Sequence, residues 1–337
     1  MDGILNLNKP RGWTSHDVVA HVRRLTGIRR VGHAGTLDPM ATGVLLICLG
    51  QATRIAEYLM AGRKRYQAVV RLGVRTDTHD TDGHVTATAP VVVSRAQLED
   101  VLSHFRGRIQ QVPPMVSALK REGQPLYKLA RRGITVARPA RPIEIHELHL
   151  TAWLPPDLTL DLVCSPGTYV RALARDLGEL LGCGAHLTAL TRLACGDFTL
   201  SEAIDLDQFT ATVTGRDQGQ PEALVDQNPS IASESATQRA DSVGDPNQLL
   251  GRQAQGWRRL IVPMDAGLQH LPALELDAEE SRQVRSGRSL PLARATAAGG
   301  GLCRAYALCD TGKRLLALLR FDDQSGLWRP HKVFYPL

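Results

Sequence analysis

From Lys64 to Leu72 every second residue is apolar, with Tyr66, Ala68, Val70 and Leu72 on one side. That alternation predicts a strand with one face in the core. Before it, Gly3–Leu7 reads as a short strand ending at Asn8-Lys9-Pro10. Ser15 is placed to cap a helix whose Val18, Val19, Val22 and Leu25 recur at helical spacing, with Gly27 as its stop. The apolar run 44–49 predicts a buried strand, and Ala52–Met60 a second helix. Ser94 and Gln97 form a capping-box pattern ahead of Leu98, Val101, Leu102 and Phe105. Strands follow at 142–153 and 158–164, then a helix from Val170 to Leu181 closed by Gly182.

The pattern then fails. Residues 211–256 are rich in Gln, Ser, Asp and Asn, lack apolar periodicity, and set three arginines against six acids. Such a stretch reads as a disordered insertion or linker. Beyond it, Asp277 caps a short helix stopped by Gly287, and strands are expected at 302–309, 314–321 and 328–334 after a Gly-rich turn at 299–301. The chain therefore divides into a mixed α/β unit over 1–210, the insertion over 211–256, and a small β-rich unit over 257–337.

Composition narrows the class. The 337 residues are 43% hydrophobic and only 4% aromatic, with a net charge of +6. A basic balance favours a polyanionic partner. No apolar run reaches the ~18 residues that span a bilayer, and the N-terminus does not read as a signal peptide. Six cysteines without a CxxC pair fit a protein of a reducing compartment. His146 and His149 fall on opposite faces of their strand, and Asp77–Gly83 fails the EF-hand template. With no nucleotide fingerprint either, no metal and no cofactor are expected.

The chemistry concentrates in two places. Residues 32–45 read GHAGTLDPMATGVL, which sets Asp38 between glycine turns and Pro39, five residues after the ionisable ring of His33. Gly32, Gly35 and Gly43 permit backbone geometry that a Cβ resists. Taken alone, an Asp-Pro turn before a strand is explained by backbone hydrogen bonding. The second place is 120–141, where Lys120, Arg121, Lys128, Arg131, Arg132, Arg138 and Arg141 face one acid, Glu122. A charge run is often a solvated face; beside the basic balance of the whole chain it points to phosphate contact.

The loop at 32–45, the Lys64-Arg65-Tyr66 entry to a strand, Thr76-Asp77-Thr78-His79-Asp80, Cys164–Arg171 and Gly182–Leu187 occur in one order. In that order the chain resembles the bacterial TruB-type tRNA pseudouridine synthases, which modify uridine 55 of the T-loop. The resemblance covers about residues 3–208, and the tail resembles the family's PUA domain. It implies an α/β (α+β) fold: a synthase core with a mixed, largely antiparallel sheet and flanking helices, plus the C-terminal β-rich PUA-like domain. It implies Asp38 as the catalytic carboxylate, attacking either C6 of the base or C1′ of the ribose, with Arg171 as its ion-pair partner. His33 would hold the opened RNA, Tyr66 would stack on the flipped uracil, and Tyr169 and Leu190 would line the pocket. Asp80 matches an acid near the site, with a structural role equally open, and Lys9 would brace the loop. Residues 115–142 would grip RNA, with Lys128, Arg131, Arg132 and Arg141 on its backbone. The implied protein is a cytoplasmic, monomeric isomerase that binds the tRNA T-stem-loop without guide RNA, membrane or cofactor. A tRNA-folding chaperone, or a synthase for another RNA stem-loop, are the competing readings.

Overall fold

The computed structural model describes residues 1–117, 119–121, 123–215, 256–291, 301–309 and 312–334. The polar stretch expected at 211–256 lies outside the described residues apart from its two ends, as does most of the turn at 299–301.

The first fourteen strands are β1 (Gly3–Lys9), β2 (Val31–His33), β3 (Thr42–Leu49), β4 (Lys64–Leu72), β5 (Val74–Thr76), β6 (Val85–Thr88), β7 (Gly107–Gln111), β8 (Lys120–Arg121), β9 (Gln124–Pro125), β10 (Arg141–Leu154), β11 (Asp157–Cys164), β12 (Ala185–Cys195), β13 (Phe198–Thr199) and β14 (Ile204–Asp205). Ten of them form one sheet along the path β14-β1-β3-β12-β4-β11-β10-β7, with β2 on β3 and β13 on β12. Its pairs are antiparallel except β1–β14 and β3–β12. The mixed, largely antiparallel sheet is therefore present. β5–β6 and β8–β9 are separate two-stranded ribbons.

Around the sheet lie α1 (Ser15–Thr26), α2 (Ala56–Ala61), α3 (Arg95–Ser103), α4 (Leu126–Ala130), α5 (Val170–Leu180) and α6 (Leu206–Thr214). α5 buries Val170, Leu173, Ala174 and Leu177, the one-sided spacing that sends a helix face into a core. Gly178 lets α5 settle on β12, because a Cβ there would lie 2.2 Å from the Ala185 nitrogen. Two local expectations change. Thr14, not Ser15, caps α1, because only Thr14 has an acid three residues on: Asp17 closes the capping box. The segment expected as one helix over 52–60 is a 3₁₀ turn, Gly50–Ile55, followed by α2.

β3 has an apolar core on each side. Leu45, Ile47 and Leu49 join the cluster under α1 and α5, whereas Val44, Leu46 and Cys48 face a second cluster. That second cluster is completed by the C-terminal unit, where β15 (Ala273–Leu276), β16 (Leu302–Cys309), β17 (Gly312–Asp322) and β18 (Leu327–Val333) form a sheet with α7 (Ala278–Arg285). Leu302, Leu318 and Phe334 from this unit pack with Ile4, Val44 and Leu46. Fully burying each such side chain stabilises by about 1.5–3 kcal/mol. The connection at 256–268 packs on the large sheet, with Trp257 edge-on to Phe209 and Val262 bridged to Ile4. Among the described residues no helix is long and apolar enough to cross a membrane.

Candidate active site

The loop between β2 and β3 carries Asp38, and three separate elements hold it. From the start of α1, the Ser15 hydroxyl accepts from the Leu37 amide at 2.8 Å and donates to the Leu37 carbonyl at 3.1 Å. Ser15, expected as a cap, is instead a buried clip between helix and loop. From β1, Lys9 is wholly buried and its ammonium donates to the carbonyls of Pro10, Trp13 and Pro39 at 2.8, 2.6 and 3.2 Å. Burial pushes Lys9 down to about 8, and the Asp38 carboxylate pulls the other way. From β12, Arg192 donates to the carbonyls of Val44, Thr36 and Gly35 at 2.7, 3.4 and 3.0 Å.

Of the loop's glycines, Gly35 (φ +97°) and Gly43 (φ +101°) use left-handed backbone. Gly32 does not; it sits in β2, so its expected special geometry is absent. At Gly43 a Cβ would also fall 2.3 Å from the Arg192 carbonyl oxygen, which is why β3 and β12 meet this closely.

Arg171, in the first turn of α5 and 3% exposed, meets Asp38 with two parallel hydrogen bonds of 2.8 and 3.0 Å. The fork geometry suits a carboxylate and fixes its direction. The same guanidinium donates to the carbonyls of Thr78 and Val116 at 3.1 and 2.8 Å and lies 3.4 Å from Asp80. Asp80 is itself buried and accepts from the Thr78 hydroxyl at 2.5 Å and the Asp82 amide at 3.1 Å. His79 before it has φ +63°, and its carbonyl accepts from the Leu187 amide of β12 at 3.0 Å. The segment read as a failed metal loop is thus a turn that presents Asp80 to Arg171. Burial, and then Arg175, Arg171 and Arg138, push the His79 ring down to about 4, so it is neutral near pH 7.

These residues border a cavity of about 340 Å³. Asp38, Tyr66, Tyr169, Arg171 and Leu190 all line it, as do Lys64 and Arg192. Gln111 brackets the Tyr169 backbone, its amide group accepting from the nitrogen at 2.9 Å and donating to the carbonyl at 3.1 Å. Burial pushes the Tyr66 hydroxyl up to about 12, with the nearby Arg192 guanidinium opposing it, and raises Tyr169 as well.

Not every expected residue gathers there. His33 lies on β2, away from the cavity lining; its Nδ1 is buried without a partner among the described residues. Burial, then Arg192 and His16, hold its pKa below the ordinary histidine value. Lys128, Arg131, Arg132 and Arg141 are exposed on or near α4 and the start of β10, outside the cavity. Arg131 stacks over the Tyr127 ring at 5.6 Å. Five of the six cysteines are buried and Cys309 is exposed, and none is joined in a disulfide. Among the described residues no group of three or more His, Cys, Asp or Glu side chains gathers as a metal site would require.

Two charged residues of the cavity wall were given no role in the sequence reading. Lys64 is buried, donating to the carbonyls of Met60 and Gly62, the latter at 2.6 Å. Arg192, 1% exposed, lies in a strand whose bulges at Leu187/Ala189 and Arg192/Ala194 break the two-residue period. Its usable signals were a lone cation in the segment Leu190–Cys195 and its place two residues after Leu190.

Comparison with known proteins bears on what this site does. Residues 23–170 match the family described as TruB family pseudouridylate synthase (N terminal domain), and 171–269 match the tRNA pseudouridylate synthase B C-terminal domain. The tRNA pseudouridine synthase B of Ralstonia nicotianae is 40% identical over 338 residues, covering 99% of this chain and 94% of that protein. The enzyme of the same name from Haemophilus influenzae (strain 86-028NP) is 40% identical, covering 89% and 86%. That of Syntrophotalea carbinolica is 53% identical over 208 residues, 61% of this chain and 68% of that one. Among solved structures, a Cbf5-Nop10-Gar1 complex contains a chain with TM-score 0.67 and 24% identity, covering 99% of this chain and 85% of that one. That likeness is one of fold.

Proposed function

The chain belongs to the TruB family of pseudouridylate synthases, an isomerase acting on tRNA, and from that premise we propose that it converts uridine 55 of the T-loop to pseudouridine in the cavity at Asp38. One observation carries the assignment. Asp38, the one carboxylate among the described residues that lines the cavity, is gripped by the buried Arg171 guanidinium beside Tyr66, Tyr169 and Leu190.

The reaction breaks the N1–C1′ bond, turns the base over and rejoins it through C5. Reactant and product are isomers, so the chemistry draws on no external energy source. A nucleophile has to be anionic and aimed, and the detached base has to stay in place. Arg171 supplies the first condition for Asp38, and the apolar and aromatic wall supplies the second. The uridine must leave its stack to reach the cavity. Tyr66 would then stack on the base, and Tyr169 and Leu190 would confine it. His33, neutral and outside the cavity, would occupy the space that the extruded nucleotide leaves. Lys9 would hold the loop under Asp38, and Asp80 would hold Arg171 from behind.

The exposed cations Lys128, Arg131, Arg132 and Arg141 would follow the RNA backbone, the C-terminal sheet would serve as a PUA-like binding unit, and the enzyme would work as a cytoplasmic monomer without guide RNA. Replacing Arg131 and Arg132 together with Ala is expected to weaken tRNA binding and reduce the slope of log Kd against log salt by about 1–2. Filter binding across a salt series measures it; an unchanged slope would leave these side chains as a solvated face. The function itself is tested by a pseudouridine map of tRNA from cells lacking the protein. Position 55 should revert to uridine while other sites keep their modification. A map with position 55 still modified would send the activity to another RNA.

A further inference from the structure

Arg192 is a buried cation with no carboxylate within 4.0 Å among the described residues, unlike Arg171, which lines the same cavity. A buried charge left without an opposite charge is costly unless dipoles surround it. Here three backbone carbonyls do so, and they lie on both flanks of Asp38: Gly35 and Thr36 before it, Val44 after it. Arg192 is also the direct cross-strand neighbour of Tyr66 in the β12–β4 pair and of Gly43 in the short parallel β12–β3 pair. One residue thus joins the strand bearing the aromatic ring, through the pairing of its backbone, to both ends of the loop bearing the carboxylate, through its guanidinium.

We propose that Arg192 is a positioning residue for the isomerisation, fixing the Asp38 loop against Tyr66 so that carboxylate and ring face the same base. This rests on the reading that Asp38 and Tyr66 act on uridine in this cavity. The guanidinium is suited to the task because it directs several N–H groups in one plane, whereas a lysine offers a single point charge. A displacement of about 1 Å between reacting groups is enough to cost about 100-fold in rate.

The test uses Arg192→Lys and Arg192→Gln in the full chain, assayed for release of tritium from C5-labelled uridine in tRNA at a temperature where circular dichroism shows each variant folded. Both should lower kcat by about 10- to 100-fold, with KM and the Kd for tRNA within about threefold of the parent. Combined with Tyr66→Phe, the Arg192→Lys loss should be smaller than in the parent, because both changes disturb one geometry. A folded variant with parental kcat overturns the proposal. So does a loss confined to KM, a loss that tracks the unfolded fraction, or full multiplicativity with Tyr66→Phe. Asp38→Asn runs alongside: if it stays active, the underlying reading of the site has failed; if it is inactive while Arg192→Lys is unimpaired, only the role of Arg192 has.

Discussion

Asp38→Asn is expected to lower pseudouridine formation by about 10⁴-fold or more, the scale seen when a nucleophile is removed from an otherwise intact site, while tRNA binding persists. The substitution changes almost no volume. What it removes is the negative charge and one acceptor, since an amide group offers Arg171 one oxygen where the carboxylate gave two. Arg171 keeps its bonds to the Thr78 and Val116 carbonyls and its approach to Asp80, so the cavity should hold its shape. Tritium release from C5-labelled tRNA reports the chemistry, and a gel shift reports binding. Residual turnover within tenfold of the parent would remove Asp38 from the reaction. Loss of binding in step with turnover would make it a recognition group instead.

Arg171→Met should be damaging in a different way, through stability as well as rate. The guanidinium compensates two carboxylates, and Asp80 is almost wholly buried. Removing one member of a buried ion pair costs about 3–5 kcal/mol, because the charge left behind has no water to replace its partner. The Thr78 and Val116 carbonyls lose a donor as well, which loosens the Asp80 turn and the start of the 115–142 segment. Urea denaturation should therefore show a lower midpoint, and the folded fraction should be nearly inactive. Asp38→Asn should show little of that destabilisation, and the contrast separates the two residues. An Arg171→Met protein with the parental midpoint would mean that the cluster is not the electrostatic unit its geometry describes.

Much of this was legible in the chain because local pattern and tertiary environment agree. β4 alternates and is buried on one side; α5 repeats its apolar residues every three or four positions and packs on that side. The loop at Asp38 was recognisable by its glycines and proline, and the pairing with Arg171 followed from the resemblance. The failures have physical causes. Thr14 and Ser15 are both good capping residues, and the choice turns on which has an acid three positions later. Lys9, expected to brace the loop, does reach it through the Pro39 carbonyl, but its other two partners, Pro10 and Trp13, are local carbonyls that the pattern does not reveal. Arg192 was missed although it stands two residues after Leu190 with no bulge between them, because an arginine in a strand is ordinarily expected to face solvent.

β3 is clothed on one side by helices of the synthase core and on the other by side chains that arrive some 250 residues later, Leu302, Leu318 and Phe334 among them. The strand that leaves the Asp38 loop is thus a shared wall, owned by neither unit. A chain cut after the first sheet would lay bare Val44, Leu46 and Cys48 at the base of the Asp38 loop. The small C-terminal unit is consequently poor material for exchange: grafting a different module in its place would require remaking the underside of the Asp38 loop.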